Sequence, residues 1–501
     1  MSAVPSSVFT QATTQRIDAA LAALGEAPVG GVAERLSRLV EVARRAESAE
    51  AVWLLIIAVC GAFPRQDDVR AVRRVLDLAE GPQAVRGVLA TLRPLIIECG
   101  GLERRMQILD RAVVVDVDFS ATHEHNTGIQ RVVRETMASW VAARAEVHLA
   151  AWTPASSALR ALSTAERERV VDWGSATRFR GSESSAAVSD IVVPWRSDVV
   201  IVEVPSAASS ERLAALAEFS GNRVHLVGYD TIPIVSADML HPREAEKFAS
   251  YLTLVKHSTS VVGISESAAQ EFAGYISALG SQGVTGPRVS ACALPAELTA
   301  ASDVVDDGTD DGALVLSVGS HEARKNHRAL LFAAEVLWRE GFAFELVLVG
   351  RGSAEYIGAF DAEIARMVAR GRPITVRRDA ADDELAAFYR RARVMVFPSL
   401  HEGYGLPVAE ALSRATPVIT TAYGSTAEIA RDGGCLVIDP RNDDSLIDAL
   451  RSVLADDALV DRLRSEARRR PERTWKQYAD ELWAAMIDAS PAPATTSGGA
   501  A

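Results

Sequence analysis

The sequence predicts an α/β protein: two doubly wound parallel-sheet domains preceded by an extra helical domain. Three observations predict it. Short runs rich in β-branched residues alternate with amphipathic helical stretches, the pattern of a parallel sheet covered on both faces. That pattern occurs twice, on either side of a polar, acidic segment at 300–312. The first hundred or so residues lack it and repeat apolar side chains at helical spacing instead.

Taken in order, residues 1–108 form the helical domain. Ala, Leu, Val and Arg recur three and four apart, as in Ala33-Glu-Arg-Leu-Ser-Arg-Leu-Val-Glu-Val-Ala-Arg44. No chemistry is visible here; the domain reads as a scaffold that docks a partner or forms an oligomer. Its most apolar run, 52–63, is too short to span a bilayer and reads as a buried helix. The first half, 109–299, has strands at 112–117, 147–152, 199–204, 224–227 and 260–264. Residues 300–312 are an exposed linker. The second half, 313–470, has strands at 313–318, 344–349, 374–376, 394–397, 417–420 and 435–438. A helical run follows at 471–488. The tail at 489–501, made of Pro, Ala, Ser, Thr and Gly, is predicted to be disordered. Open α/β sheets bind ligands at the carboxyl ends of their strands, so two facing sheets place a ligand in the cleft between them.

A chain of 501 residues exceeds what one core usually supports. Its net charge of −13 argues against nucleic acid as a partner, so any polyanion must be met by a local basic site. Cys60, Cys99, Cys292 and Cys435 are far apart and suggest neither a disulfide framework nor a zinc site. With no basic-then-apolar start, the reading is a cytoplasmic protein whose membrane contact is limited to the periphery of the inner face.

The most informative segment is Phe397-Pro-Ser-Leu-His-Glu-Gly-Tyr-Gly-Leu-Pro-Val-Ala-Glu-Ala-Leu412. A buried strand leads into a glycine loop, and Pro407 stands in the first turn of a helix, where its missing N–H costs nothing. Gly403 and Gly405 allow close approach of a ligand, and amides at a helix start favour an anion. Glu402 and Glu410 accept hydrogen bonds only, which suits sugar or ribose hydroxyls. After the strand at 313–318 comes Gly319-Ser-His-Glu-Ala-Arg-Lys-Asn-His327. Arg324 and Lys325 at a helix start oppose the helix dipole unless an anion joins them, so they read as a diphosphate clamp. Gly128, in Thr127-Gly-Ile-Gln-Arg-Val-Val-Arg134, opens a helix near the first strand and is a candidate for donor contact; His123, Glu124, His125 and Asn126 on the same loop either meet an acceptor or form a solvated surface loop. Tyr229 and Asp230 follow the strand at 224–227, where Asp230 reads as a helix cap, a turn acid or a site residue, and Ser265 reads as a helix cap.

Two further patterns carry less. Gly350-Arg-Gly352 lacks a third glycine because Glu355 stands there, which disfavours a nicotinamide site. Asp116-Val-Asp118 could present two carboxylates to a metal, but strand-end acids that hydrogen-bond the next loop are the simpler reading. No metal is predicted.

Glu-Gly-Tyr-Gly-Leu-Pro-x-x-Glu-Ala resembles the E-x7-E signature of retaining, nucleotide-sugar-dependent glycosyltransferases of family 4, which have the GT-B fold of two facing Rossmann-like domains. The clamp loop, along Val-Gly-x-x-x-x-Arg-Lys-Asn-His, resembles the family's diphosphate-binding segment, and Thr-Gly-Ile-Gln-Arg-Val-Val-Arg resembles the first helix start in a bacterial branch with mannosyl- and rhamnosyltransferases. The resemblance covers about 111–486 and implies a hexosyl transfer from a nucleoside-diphosphate sugar, the sole co-substrate with no cofactor, to a glycan, lipid-linked or small-molecule acceptor. It implies that Lys325, Arg324 and Glu402 are catalytic. Gly128, Gly319, Arg324, Lys325, Glu402, Gly403, Tyr404, Gly405, Leu406 and Glu410 would bind the donor, with Glu402 on the sugar and Glu410 on the ribose. Asn126, Tyr229 and Asp230 would meet acceptor or sugar, although Tyr229 stands where many members carry His. The alternative is a non-catalytic nucleotide-sugar sensor or assembly subunit.

Overall fold

The computed structural model describes residues 6–124, 126–173, 190–295, 313–352 and 354–489. His125, the linker at 300–312 and the tail beyond 489 lie outside the described residues.

The second half holds a six-stranded, all-parallel sheet. From one edge to the other its strands are Ile374–Arg377, Phe344–Val349, Ala313–Val318, Val394–Phe397, Val418–Thr421 and Cys435–Ile438. They fall within about a residue of the predicted positions because both faces are covered, which makes each strand a short apolar run rather than an alternating one. The order reverses between Ala313–Val318 and Val394–Phe397, so the loops leaving these two neighbours diverge and leave a crevice at their carboxyl ends.

In the first half the sheet has nine strands, four more than the sequence suggested: Met106–Asp110, Leu159–Ala161, Ile191–Trp195 and Arg288–Ala291. Two of the additions come from kinked strands. Met106–Asp110 runs on into Val113–Asp116, and Ile191–Trp195 into Asp198–Ile201, each path parallel to the other. Both paths break at a left-handed arginine, Arg111 (φ 53°) and Arg196 (φ 50°). Such a conformation costs a non-glycine residue about 1–2 kcal/mol. Hydrogen bonds hold the pair of kinks: Arg111 N–H donates to Trp195 O (3.1 Å), and Ser197 Oγ donates to Leu109 O (2.8 Å) while accepting from Ala112 N–H (2.9 Å).

The kinked ends run under the helical extension, and Met106–Asp110 spans the boundary read at 108. Five helices, Ser6–Ala23, Val32–Arg45, Glu50–Cys60, Gln66–Leu78 and Gly81–Cys99, make up the extension. Residues 51–60 are all buried, as an all-apolar helix requires. From this helix the core continues without a break into the sheet: Trp53 packs on Phe63 at 5.5 Å and Phe63 on Trp152 at 6.0 Å. Buried Arg16 donates to Ala58 O (2.9 Å) and Leu102 O (2.8 Å), satisfying a carbonyl near the end of the central helix.

Among the described residues, no helix is long and apolar enough to cross a membrane. The four cysteines are free thiols, with Cys435 half-buried and the others buried. The last helix, Trp475–Trp483, extends by one π-helical turn, Ala484–Asp488, and packs in the core of the first half. There Trp140 Nε1 donates to Ala479 O (2.8 Å), and Trp140 meets Trp483 edge-on at 5.2 Å.

Candidate active site

The crevice between Ala313–Val318 and Val394–Phe397 brings the two loops singled out in the sequence into contact. Lys325 Nζ lies 2.6 Å from Glu402 Oε1, and Arg324 Nη1 3.0 Å from Glu402 Oε2. Arg324 also donates to His401 O (2.7 Å) and to Glu322 (2.8 Å), and Lys325 lies over the Phe397 ring at 5.0 Å. All three charged side chains are nearly buried. Burial pushes the Glu402 carboxyl up, but Lys325 and then Arg324 outweigh it and hold Glu402 at about 2. Two cations thus meet two carboxylates, Glu402 and the less buried Glu322.

Glycine is needed here where backbones meet. A Cβ on Gly350 would come within 1.9 Å of Gly319 O, so Gly350 lets the clamp loop close on its neighbour. This is the use the structure makes of the Gly-Arg-Gly run. Gly319 lies against the clamp, with its Cβ position 3.7 Å from the Lys325 stem and the Phe397 ring. Gly405 caps the helix Leu406–Ser413 at φ 105°.

The loop at 401–406 is also pressed against the first half. A Cβ on Gly403 would stand 2.4 Å from Tyr229 O, and one on Gly128 would stand 3.1 Å from Leu406 Cδ1. Ser265 Oγ caps its helix at Ala268 N and donates to Gly403 O (2.7 Å). Tyr404 OH donates to Leu294 O (2.5 Å), and burial pushes its phenol up to about 12. His401 is held on both ring nitrogens, by Ser236 Oγ (2.8 Å) and by Glu271 Oε1 (2.7 Å). Burial pushes the His401 imidazole down; its bond to Glu271 outweighs that and leaves it above its ordinary value. Glu428 reaches across to accept from Glu266 N–H (2.9 Å) and Ser267 N–H (2.6 Å) at a helix start.

Glu410 sits apart from the cation pair. Its carboxylate is shared between Arg131 of the first half (2.8 Å) and Tyr389 OH (2.9 Å), and Arg131 lies 5.5 Å from the Trp475 ring. Burial raises the Glu410 carboxyl, with Arg131 pulling the other way. Sequence reasoning did not give roles to Arg131, His401, Glu271 or Glu428. His401 could have been suspected from its place beside Glu402; the others have no local signal.

Asp230 and Tyr229 part company. Asp230 accepts from Ile232 N–H (3.1 Å), and burial raises its carboxyl to about 6 against the pull of that bond and of Arg324. Tyr229 turns into the core, where its hydroxyl donates to Val202 O (2.7 Å). Asn126 accepts from Arg134 (2.7 Å). The Asp116 and Asp118 carboxylates are bound by Trp152, through its indole N–H (2.8 Å) and its backbone N–H (2.8 Å) respectively. No cluster of three or more metal-ligating side chains occurs among the described residues. His321 and His327, behind the clamp, are pushed down by burial to about 4 and about 3 and are neutral.

Beside Glu402 a cavity of about 480 Å3 opens between the halves, with Ser236 and Asp238 on one side and Tyr423, Ser425 and Arg441 on the other. Ser425 Oγ donates to Glu402 O (2.9 Å). The site thus combines buried cations, two carboxylates held by basic side chains, and amides at a helix start.

Residues 306–470 match the family described as glycosyl transferases group 1. Over 339 residues, 64% of this chain, the sequence is 24% identical to the serotype-specific mannosyltransferase WbdA of Escherichia coli and covers 39% of it. Over 147 residues, 28% of this chain, it is 35% identical to the O-antigen chain mannosyltransferase B of Escherichia coli and covers 37% of it. The chain therefore spans less than half the length of these curated relatives. Among solved structures, an alpha,alpha-trehalose 6-phosphate synthase from Burkholderia multivorans is similar in fold, with a TM-score of 0.51 at 13% identity over 76% of this chain and 97% of that one. The fold is GT-B, and the chain carries a group 1 glycosyltransferase domain.

Proposed function

We propose that this GT-B chain is a retaining glycosyltransferase that moves a hexosyl residue, mannose or a rhamnose-like sugar, from a nucleoside-diphosphate donor to a glycan, lipid-linked or small-molecule acceptor. One observation carries the reading: Arg324 and Lys325 converge, nearly buried, on Glu402 at the point where the strand order reverses. Fixed cations in such a crevice stabilise a departing diphosphate without reorganising, often the largest catalytic contribution. In the reaction the bond from the anomeric carbon to phosphate oxygen breaks and the bond to the acceptor oxygen forms. The acceptor proton passes to the leaving phosphate oxygen, so no protein base is needed.

Glu402 holds the donor sugar beneath the oxocarbenium-like centre, and the amides at 403–406 face the diphosphate. Glu410 exchanges Arg131 and Tyr389 for the ribose hydroxyls, and Gly128 lets Leu406 of the donor loop close on the first half. Retention rests on the resemblance of the E-x7-E segment, and the mannosyl donor on the names of the two relatives. A metal-independent reaction is supported by the two fixed cations and by the engagement of Asp116 and Asp118 with Trp152. A cytoplasmic enzyme working at the periphery of the inner membrane face fits a lipid-linked acceptor.

Incubation of the full chain with a panel of nucleoside-diphosphate hexoses and glycan acceptors, read by mass spectrometry, tests this. Transfer is expected, and Lys325→Met and Glu402→Gln are each expected to lower it at least about 100-fold. Wild-type rates in either variant would sink the assignment. Donor binding without any turnover would establish the sensor instead.

A further inference from the structure

Across the closed cleft, Asp238 and Arg441 carry opposite charges that do not meet. Elsewhere the two halves are joined by contacts that are made, as between His401 and Glu271 (2.7 Å), Arg131 and Glu410 (2.8 Å), and Ser265 Oγ and Gly403 O (2.7 Å). Asp238 lies in the short turn Ala237–Met239 of the first half, and Arg441 in the loop after strand Cys435–Ile438 of the second. Both line the cavity of about 480 Å3 beside Glu402. The Asp238 side chain is exposed and makes no hydrogen bond or ion pair among the described residues. Exposed Arg441 forms no ion pair among them either; it donates to Tyr423 OH and lies over the Tyr423 ring at 5.2 Å, which leaves the rest of its N–H donors open.

The other charged groups of this wall already have partners, Glu402 in Lys325 and Arg324, and Glu271 in His401. What the cavity offers is therefore a free anion from one half and a free cation from the other. An ion of either sign would be drawn to one and repelled by its opposite, whereas a hydroxyl donates to a carboxylate and accepts from a guanidinium. Apolar surface stands beside them in Val235, which is 63% exposed, Met239 and the Tyr423 ring. This mixture suits a sugar ring, polar at its edge and apolar at its C–H face, and the volume lies within the range of about 300–1,000 Å3 usual for small-molecule pockets. Arg324, Lys325 and residues 403–406 are not in the wall, so the place read for the diphosphate lies outside it, and Glu402 borders both. We infer that this cavity holds the acceptor as a neutral sugar unit, its hydroxyls bridging Asp238 of the first half and Arg441 of the second. The inference rests on the glycan-acceptor reading proposed above and names two residues that select the acceptor. An acceptor so placed stands next to Glu402, under the donor sugar in the proposed reaction, and ties the two halves together.

The test uses the full chain and two kinds of probe. Binding of α-mannotetraose and of maltotetraose, read by ligand-observed saturation-transfer NMR, reports on the cavity; thermal stabilisation by GDP and by UDP reports on the donor side. A tetrasaccharide is expected to bind. Its affinity should fall at least about tenfold in Asp238→Asn and in Arg441→Gln, while the response to GDP and UDP stays as in wild type. Both side chains are exposed, so neither change threatens the fold. Failure of both tetrasaccharides to bind, an affinity unchanged in either variant, or an equal loss of nucleoside-diphosphate binding overturns the inference; the last result would give the cavity to the donor. Because the readout needs no turnover, a chain that binds glycan through Asp238 and Arg441 without transferring sugar defeats the proposed activity alone. A transferase whose glycan binding ignores these variants defeats this inference alone.

Discussion

Replacing Lys325 by methionine keeps the bulk of the stem and removes a charge 2.6 Å from Glu402. In the folded chain, burial works to raise the Glu402 carboxyl, yet Lys325 and Arg324 hold it at about 2 against an ordinary 4.5. At about 1.4 kcal/mol per pH unit, ionised Glu402 contributes about 3 kcal/mol at neutral pH. The folded value lies below the unfolded one, so this stability is complete above about pH 4.5 and is lost as pH falls toward 2. Arg324 alone, 3.0 Å away, opposes burial less than the pair does, so the variant loses part of that contribution, about 2 kcal/mol at pH 7. At pH 3 wild type has already given up much of its own contribution, and the difference shrinks to about 1 kcal/mol. Urea unfolding followed by circular dichroism at the two pH values measures both differences. A saturating nucleoside diphosphate adds a second reading: at about 100 times its Kd it stabilises wild type by about 2.7 kcal/mol, and the variant by much less at the same concentration. A penalty that is equal at pH 7 and pH 3, together with undiminished stabilisation by the diphosphate, would refute the account of Lys325 as a clamp residue balanced by Glu402.

Two other outcomes follow from contacts across the cleft. His401 has a folded pKa above its ordinary value, so its contribution is full below about pH 6.5 and fades as pH rises through the raised value. Its facing charges are Glu271, Asp230 and Arg324. Thermal melts between pH 6 and pH 9 should therefore show a steeper decline in wild type than in His401→Gln, and parallel profiles would count against the contact. Gly403→Ala places a Cβ 2.4 Å from the Tyr229 carbonyl, a backbone atom of the opposite half, and must push the halves apart. Small-angle scattering should show a larger radius and transfer should drop about 100-fold, as a misplacement near 1 Å can cause. Gly274→Ala, in the helix Glu266–Leu279 with open space at its Cβ, serves as the control and should stabilise by about 0.5–1 kcal/mol. A normal radius and rate in Gly403→Ala would show that the closed contact is dispensable.

The strands of the second half were legible because each is a short apolar run with helices on both faces, as Val394–Phe397 shows. Those missed in the first half were short, interrupted or exposed, even where the run is apolar. Ile191–Trp195 contains Pro194, Leu159–Ala161 has three residues, and Met106–Asp110 carries polar residues at its exposed positions. No propensity scale foretells left-handed arginines at 111 and 196; the pairing of two kinked paths holds them there.

Chemistry was legible where it is local. The glycine loop, Pro407, Glu402, Arg324 and Lys325 each follow from residue type and a few neighbours, and so did the α/β class. Meetings between distant residues were not. Lys325 and Glu402 are 77 positions apart, Arg131 and Glu410 are 279 apart, and Tyr229 had equal reason to face cleft or core. Local periodicity encodes which face of an element is apolar and which conformations a turn tolerates. It does not encode the order of strands in a sheet or the closure of one half on the other, which depend on how whole cores pack. That packing places Glu402 between its two cations and turns Glu410 toward Arg131.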